Sequence, residues 1–479
     1  MGSELQISHI VEIAEAMGDA PFGSNLKNSH YTESGALVVQ GKNVQGRSFD
    51  WSDKRHVSLE KWESLPRSQC KPGDLIFPKV GTIGKVGILN ECEGYENYIL
   101  STNTMRLRVD QTKADPQFVY YFFTAPTTVN LIHALNSKSV QPVFNFTTLK
   151  AFQIELPPLP EQKAIAHILG TLDDKIELNR RMNATLEGLA QALFKSWFVD
   201  FDPVIDNALA AGNPIPDELA PRAEVRKNAL ANGATQQGSV DHPTLSDPKS
   251  LFPAALEFSD DLGPIPKGWN TRKLSELATV TKGKSYKSSE LQSSTTALVT
   301  LKSFNRGGGY RLDGLKEYTG KYKPEQVVES GDLIISYTDV TQAADVIGKP
   351  AMVIPDERYE TLVISLDVGV VRPNGPTLKH FLYQLARTKR FEDWMLSHTS
   401  GTTVLHLSKN AFPSFECAFP DEELISEFEK IVSPLFERTV QNVKESRALK
   451  KLRDTLLPKL ISGELCLPEA ERLTEQALA

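Results

Sequence analysis

The chain has 479 residues, 40% of them hydrophobic and 24% charged, with a formal net charge of −7. Those proportions suit a globular protein of two to four domains that can bury its cores without staples, and they exclude a disordered or fibrous chain. No signal-peptide pattern opens the sequence and no apolar run reaches the roughly 18–20 residues of a membrane span, so a cytoplasmic protein with no membrane partner is expected. Cys70, Cys92, Cys417 and Cys466 lack C-x-x-C spacing and the nine histidines are scattered. Neither a zinc site nor a disulfide framework is indicated, and no metal or cofactor is expected.

Residues 1–160 read as a mixed, β-rich module. Short apolar runs, Ala36–Val39, Asp74–Phe77, Val86–Leu89 and Met105–Val109, are bounded by Gly, Pro, Asn and Asp as strands are. Asp115-Pro116 opens a helix running from Gln117 to Thr124. Pro157-Pro158-Leu159-Pro160 then stops a strand and starts a long helix over 161–199. Its Ile165, Ile168, Leu172, Ile176, Asn179, Asn183, Leu186, Ala190, Leu193 and Trp197 recur at spacings of three and four, a single seam.

Residues 200–263 hold the entire excess of negative charge, 11 acidic against 4 basic side chains, together with seven prolines. Such a composition predicts a solvated acidic linker whose charge serves solubility. A second module over 264–423 follows with strands near Asp332–Ile335, Met352–Ile354 and Leu362–Ile364 and a helix near Leu378–Arg387. A second long helix over 424–465 carries Leu435, Thr439, Asn442, Ser446, Leu449, Leu452, Leu456 and Leu460 on its seam, and residues 466–479 are left as a tail.

The two halves say the same thing. IVEIAEAMGDAPF (10–22) aligns with LSELATVTKGKSY (274–286), PGDLIFPKVGTIGKVGIL (72–89) with SGDLIISYTDVTQAADVIGKPAMVI (330–354), and SVQPVFNFTTL (139–149) with SGTTVLHLSKN (400–410). A period above 200 residues is too long for a solenoid, so the chain is two copies of a globular module, each followed by a helix. Asn179 matches Asn442, and a polar residue at a seam position favours one register over others. The two helices are expected to pair as an antiparallel intramolecular coiled coil; the alternative is that each lies on its own module. A helix of about 37 residues is a rod of roughly 55 Å, long enough to hold two readers about one turn of DNA apart, roughly 34–36 Å.

Four stretches carry a resemblance: PGDLIFPKVGTIGKVGIL (72–89), ELPPLPEQKAIAHILGTLDDKIELNRRMNATLEGLAQALFKSWFVDFDPV (155–204), LGPIPKGW (262–269) and LLPKLISGEL (456–465). Over nearly its whole length the chain resembles the specificity subunits of type I restriction–modification enzymes. The resemblance implies an α+β fold in which two similar β-rich target-recognition domains are joined by two long helices in pseudo-two-fold relation. Each domain would read one half of a split sequence in double-stranded DNA. The helices would set the spacing and bind two methyltransferase subunits, and motor-nuclease subunits would join that core. The subunit itself would be non-catalytic. Two departures stand out: the Gly-Pro-Ile-Pro-Lys-Gly-Trp stretch precedes only the second module, and Gly81-Thr82-Ile83-Gly84 gives way to Thr338-Asp339-Val340-Thr341. The two half-sites are therefore expected to differ.

Catalytic motifs are missing from the residues themselves. No Asn/Asp-Pro-Pro-aromatic loop is present, and Gly307-Gly308-Gly309 lacks the spacing of a nucleotide-binding turn. Asp173-Asp174 reads as solvated charge, because adjacent helical residues point in different directions. The rival readings, a self-contained modification or restriction enzyme and a coiled-coil scaffold without nucleic acid, are opposed by these absences and by the duplicated polar loops. Candidate DNA-facing residues are Lys79, Thr82, Lys85, Gln141 and Asn145 in the first module. In the second they are Tyr337, Thr338, Thr341, Gln342, Thr402, Thr403 and Lys409. Lys suits phosphate, Thr suits phosphate or a base edge, and the amides of Gln141 and Asn145 have the geometry to read adenine. Leu193, Phe194, Trp197, Phe198 and Phe201, with Leu456, Leu457, Leu460 and Ile461, exceed what one seam needs and are the expected docking patches for the methyltransferase subunits.

Overall fold

In each module the Gly-Asp-Leu-Ile strand is central, because all four residues of Leu75–Pro78 and of Leu333–Ser336 are buried between neighbours. The computed structural model describes residues 6–23, 25–136, 144–231, 248–341 and 343–478. It divides into two units, residues 1–180 with 442–479 and residues 181–441.

The first unit has an antiparallel sheet in the order Gly87–Ile88, Leu75–Pro78, Thr104–Val109, Ala14–Gly18. A second sheet pairs Ala36–Val39 in parallel with Tyr98–Leu100, and Gln6–His9 pairs with Gln153–Leu156. The second unit repeats the plan. Pro350–Met352, Leu333–Ser336, Val368–Pro373 and Ala278–Lys282 form the antiparallel sheet. Thr296–Val299 runs parallel to Thr361–Ile364, and Asn270–Lys273 pairs with Glu416–Phe419.

The repeated Gly-Asp-Leu-Ile motif is a framework device. Gly73 and Gly331 take positive φ, 91° and 79°, which glycine adopts without a Cβ penalty. The next residue, Asp74 or Asp332, accepts a backbone N–H from Lys71 (3.0 Å) or Glu329 (2.8 Å). The same carboxylate clamps an arginine of the adjacent strand: Asp74 accepts from Arg108 at 2.7 and 3.0 Å, and Asp332 from Arg372 at 2.8 Å twice.

Both long helices form over 40 residues, Leu159–Phe198 and Glu422–Ile461. The Pro-Pro-Leu-Pro-Glu-Gln start is stitched by buried Gln162, whose side chain accepts from Asp115 N (2.9 Å) and donates to the Pro157 carbonyl (2.8 Å). Within the first unit the helices pack antiparallel: Asp173 meets Arg453 at 2.6 Å, Lys175 meets Glu445 at 3.2 Å, and Asn179 donates to Glu445 at 2.9 Å and Ser446 at 3.3 Å. Asn179 and Asn442 are both 0% exposed, as a polar register position in an apolar seam would be. Within the second unit the same helices meet through Phe194 and Phe198 on Phe428.

Four expectations are corrected. Residues 202–231 are not a solvated linker: helices Asp202–Ala211 and Ala220–Ala231 pack together, and Arg222 and Arg226 neutralise Asp202 and Asp206. The prolines misled because Pro203 and Pro221 sit in first turns, where no N–H is required. The C-terminal stretch is not a bare tail but a helix, Leu467–Leu478, that buries Ala470 against the first unit's core. Asp173 is not solvated charge; besides Arg453 it accepts from the Tyr121 hydroxyl at 2.7 Å.

The fourth correction concerns the apolar patches. Phe194, Trp197, Phe198 and Phe201 are 2–7% exposed and, with partly buried Leu193, belong to the second unit's core. Trp197 meets Phe252 at 5.2 Å and Phe201 meets Trp269 at 5.6 Å. Leu456, Leu457 and Leu460 are 2–3% exposed and pack with Ile461 in the first unit's core. The helix termini carry extra apolar side chains because each helix covers a module as well as its partner helix. The large apolar side chains that the first long helix does leave exposed are Leu178 and Leu189.

Candidate nucleic-acid interface

The strand ends beyond Gly-Asp-Leu-Ile occupy equivalent places in the two units. Lys79 N donates to Asn103 O, and Phe144 N returns to Lys79 O. Tyr337 N donates to Asp367 O, and Leu407 N returns to Tyr337 O. Each strand end is thus held between two segments by backbone bonds, which frees its side chain for a different task in each unit.

In the first unit that side chain is a lysine already matched. Lys79 Nζ lies 2.9 Å from the Asp19 carboxylate, so its charge is largely neutralised. Lys79 and Asn145 are brought together on one cleft of about 610 Å³, with Asp19, Phe146, Thr147 and Thr148. Asn145 caps helix Phe146–Ala151, its side-chain oxygen accepting from Thr148 N at 2.8 Å and Oγ1 at 3.1 Å. Its carbonyl is therefore committed to the helix. Lys150 rests over the Phe146 ring, 4.5 Å from the centroid. Thr82 and exposed Lys85 lie on the turn held by Lys85 N on Thr82 O, where Gly81 and Gly84 take positive φ, 79° and 88°. Gln141 lies outside the described residues.

In the second unit the strand end is an aromatic platform. The Tyr337 ring is 3% exposed, which corrects its assignment as a DNA-facing side chain. Burial pushes its hydroxyl up to about 12. Gly369 makes the space, since a Cβ there would come within 2.6 Å of the ring. Lys282 Nζ sits 4.0 Å from the ring centroid, a geometry in which the π face attracts the ammonium group.

Thr338 is likewise buried, in a short strand paired with His406, and so is not a loop reader. Thr341 is committed locally: its hydroxyl and N–H both donate to Asp339 at 2.7 Å. Asp339, 0% exposed, also accepts from Val346 N (2.8 Å) and Ile347 N (3.2 Å). Burial alone would raise this carboxyl, but those donors hold it below its ordinary value. Thr402 and Thr403 are exposed on the tip between strands Thr399–Ser400 and Leu405–Leu407, and Lys409 is exposed just after it. Gln342 lies outside the described residues.

Sequence reasoning missed Asp19, Lys282 and Asp339. Alignment of the copies places Lys282 opposite Gly18, a change of charge at a repeated strand end that would have marked it. A larger cleft of about 1140 Å³ in the first unit is lined by Glu91, Glu93 and Glu96, a charge that repels phosphate. Among the described residues, no cluster of three or more His, Cys, Asp and Glu side chains is placed to hold a metal, and no helix is long and apolar enough to cross a membrane.

Comparison with known proteins gives the duplication its family. The sequence model of the type I restriction modification DNA specificity domain matches twice, over residues 7–188 and 266–448. The chain is 26% identical to the type I restriction enzyme HindI specificity subunit of Haemophilus influenzae, over 86% of this chain and 91% of that protein. It is 24% identical to the MjaIX specificity subunit of Methanocaldococcus jannaschii, over 83% and 78% of the respective chains. A type I restriction–modification S subunit from M. genitalium shares the fold with a TM-score of 0.50 at 16% identity, covering 96% of each chain. With two matched domains spanning most of its length, the chain belongs to the type I restriction–modification DNA specificity family, whose members are non-catalytic recognition subunits while catalysis lies in other subunits.

Proposed function

We propose that the chain reads a bipartite double-stranded DNA target, one half with residues 1–160 and the other with residues 264–423. The observation that carries this reading is the duplicated sheet whose equivalent strand ends bear different chemistry, Asp19 with Lys79 in one unit and Lys282 on Tyr337 in the other. A shared frame with unlike ends is what two readers of unlike half-sites require, since base contacts specify while the frame only positions. The paired helices act as the ruler between half-sites, with Asn179 and Asn442 fixing their register. The same helices recruit two methyltransferase subunits, and through them motor-nuclease subunits, on surfaces other than the buried aromatic and leucine clusters. The complex works in the cytoplasm.

Replacing residues 6–155 with the corresponding module of another family member should change one half of the methylated sequence and leave the other half and the spacer intact. Methylome sequencing of a host carrying the chimaera reads this directly. A change in both halves would show that the modules do not read independently.

A further inference from the structure

Building on the recognition reading, we infer that Lys282, seated on the Tyr337 platform, and Lys409 form a phosphate-binding pair of the second module, directed to one backbone phosphate of duplex DNA. The platform is built rather than incidental. Gly369 leaves room for the Tyr337 ring, the ring is buried, and Lys282 Nζ stands over its face at 4.0 Å. Leu407 N donates to Tyr337 O at 2.9 Å, which brings exposed Lys409, two residues further on, to the same strand end as half-buried Lys282.

Electrostatics favour an anion there. Among the described residues neither lysine has a carboxylate within ion-pair distance. The Lys282 ammonium is pushed below its usual value first by burial and second by repulsion from Lys409, with Asp367 acting in the opposite sense. An anion between two like charges removes that repulsion, and a phosphate oxygen supplies strong acceptors for both groups. The first unit offers no such pair at the equivalent place, because Gly18 stands where Lys282 does and Asp19 already matches Lys79. The structure therefore assigns more of the salt-dependent affinity to the second module.

The test uses the full chain assembled with its methyltransferase subunits and a duplex carrying the sequence found by methylome mapping. Affinity is measured across a salt series for the parent, Lys282→Gln with Lys409→Gln, Lys282→Arg, and Lys79→Gln. Loss of one phosphate contact should reduce the slope of log K against log salt by about 0.9. The double variant is expected to show at least that reduction, weaker binding at low salt and an unchanged recognised sequence. Lys282→Arg should keep the parent slope, and Lys79→Gln should change it less than the double variant does. An unchanged slope in a double variant that melts like the parent overturns the pair. Inorganic phosphate that binds the parent only when both lysines are present, yet leaves duplex affinity unchanged at constant ionic strength, would overturn it in favour of a free-anion site. A parent complex that binds no duplex would instead remove the recognition reading on which the pair depends.

Discussion

The loops that follow the two Gly-Asp-Leu-Ile strands solve one problem in opposite ways. In the first unit the chain turns on Gly81 and Gly84, both at positive φ, with Ile83 packed on the core beneath and, among the described residues, no buried carboxylate gathering the turn. In the second, the equivalent stretch turns around the buried Asp339 carboxylate, which gathers Thr341, Val346 and Ile347, and it tolerates Ala344 at φ 55°. Glycine makes a turn without dictating what lies beside it, whereas a buried carboxylate demands a set of donors around it. A duplicated frame can thus carry two loops that diverge in length and sequence while the strands beneath them stay the same.

The strongest way to break the comparison is to attack the shared frame. Asp74 is 0% exposed and clamps Arg108, with Arg106 Nη1 3.8 Å away. Asp74→Ala leaves two arginines short of their counter-charge and should cost about 3–5 kcal/mol. Asp332→Ala should cost less, about 1–2 kcal/mol, because the Arg372 side chain is 39% exposed and water can replace the lost partner. Urea unfolding of the two variants measures both. Equal losses would mean that the clamps are not graded by burial.

The next effect is confined to one loop. Asp339→Asn removes a charge and turns an amide N–H₂ toward backbone donors, so a loss of roughly 2–3 kcal/mol is expected. Its pH dependence has a fixed sign. The folded carboxyl lies below its ordinary value, so its contribution is fully present above the unfolded value of about 3.9 and fades as pH falls through the folded one. Parent stability should therefore drop below about pH 4 by an amount that Asp339→Asn lacks. Parallel acid-denaturation curves for the two proteins would sink this account.

Much of the frame was legible because it is periodic or capped. The seams over Leu159–Phe198 and Glu422–Ile461, the matched Asn179 and Asn442, and the Asp115-Pro116 helix start all rest on local patterns that packing reinforced. The interface was less legible. Tyr337 and Lys79 align, yet one is a buried platform and the other an ion-paired cation, because that outcome depends on Gly369 and Asp19 far away in sequence. Phe194 to Phe201 look like excess surface until the module and Trp269 close over them. In helix 202–211 the composition pointed one way and position the other, since a proline in a first turn does not oppose a helix.

The smallest effects sharpen the comparison at the turns themselves. Gly81→Ala imposes a Cβ on a left-handed backbone with nothing near it in space, so the cost is conformational alone, about 1–2 kcal/mol. Ala344→Gly runs the same argument backwards. Relief of the left-handed strain at φ 55° gains about 1–2 kcal/mol, and the added freedom of the unfolded chain takes back about 0.4–1 kcal/mol. The net should be a stabilisation of at most roughly 1.5 kcal/mol by these two terms. Differential scanning calorimetry should find Gly81→Ala melting lower than the parent and Ala344→Gly slightly higher. If Ala344→Gly melts lower instead, the Asp339 network holds residue 344 at no strain, and the second loop needs no glycine at that left-handed position, although it keeps one at Gly348, φ 68°.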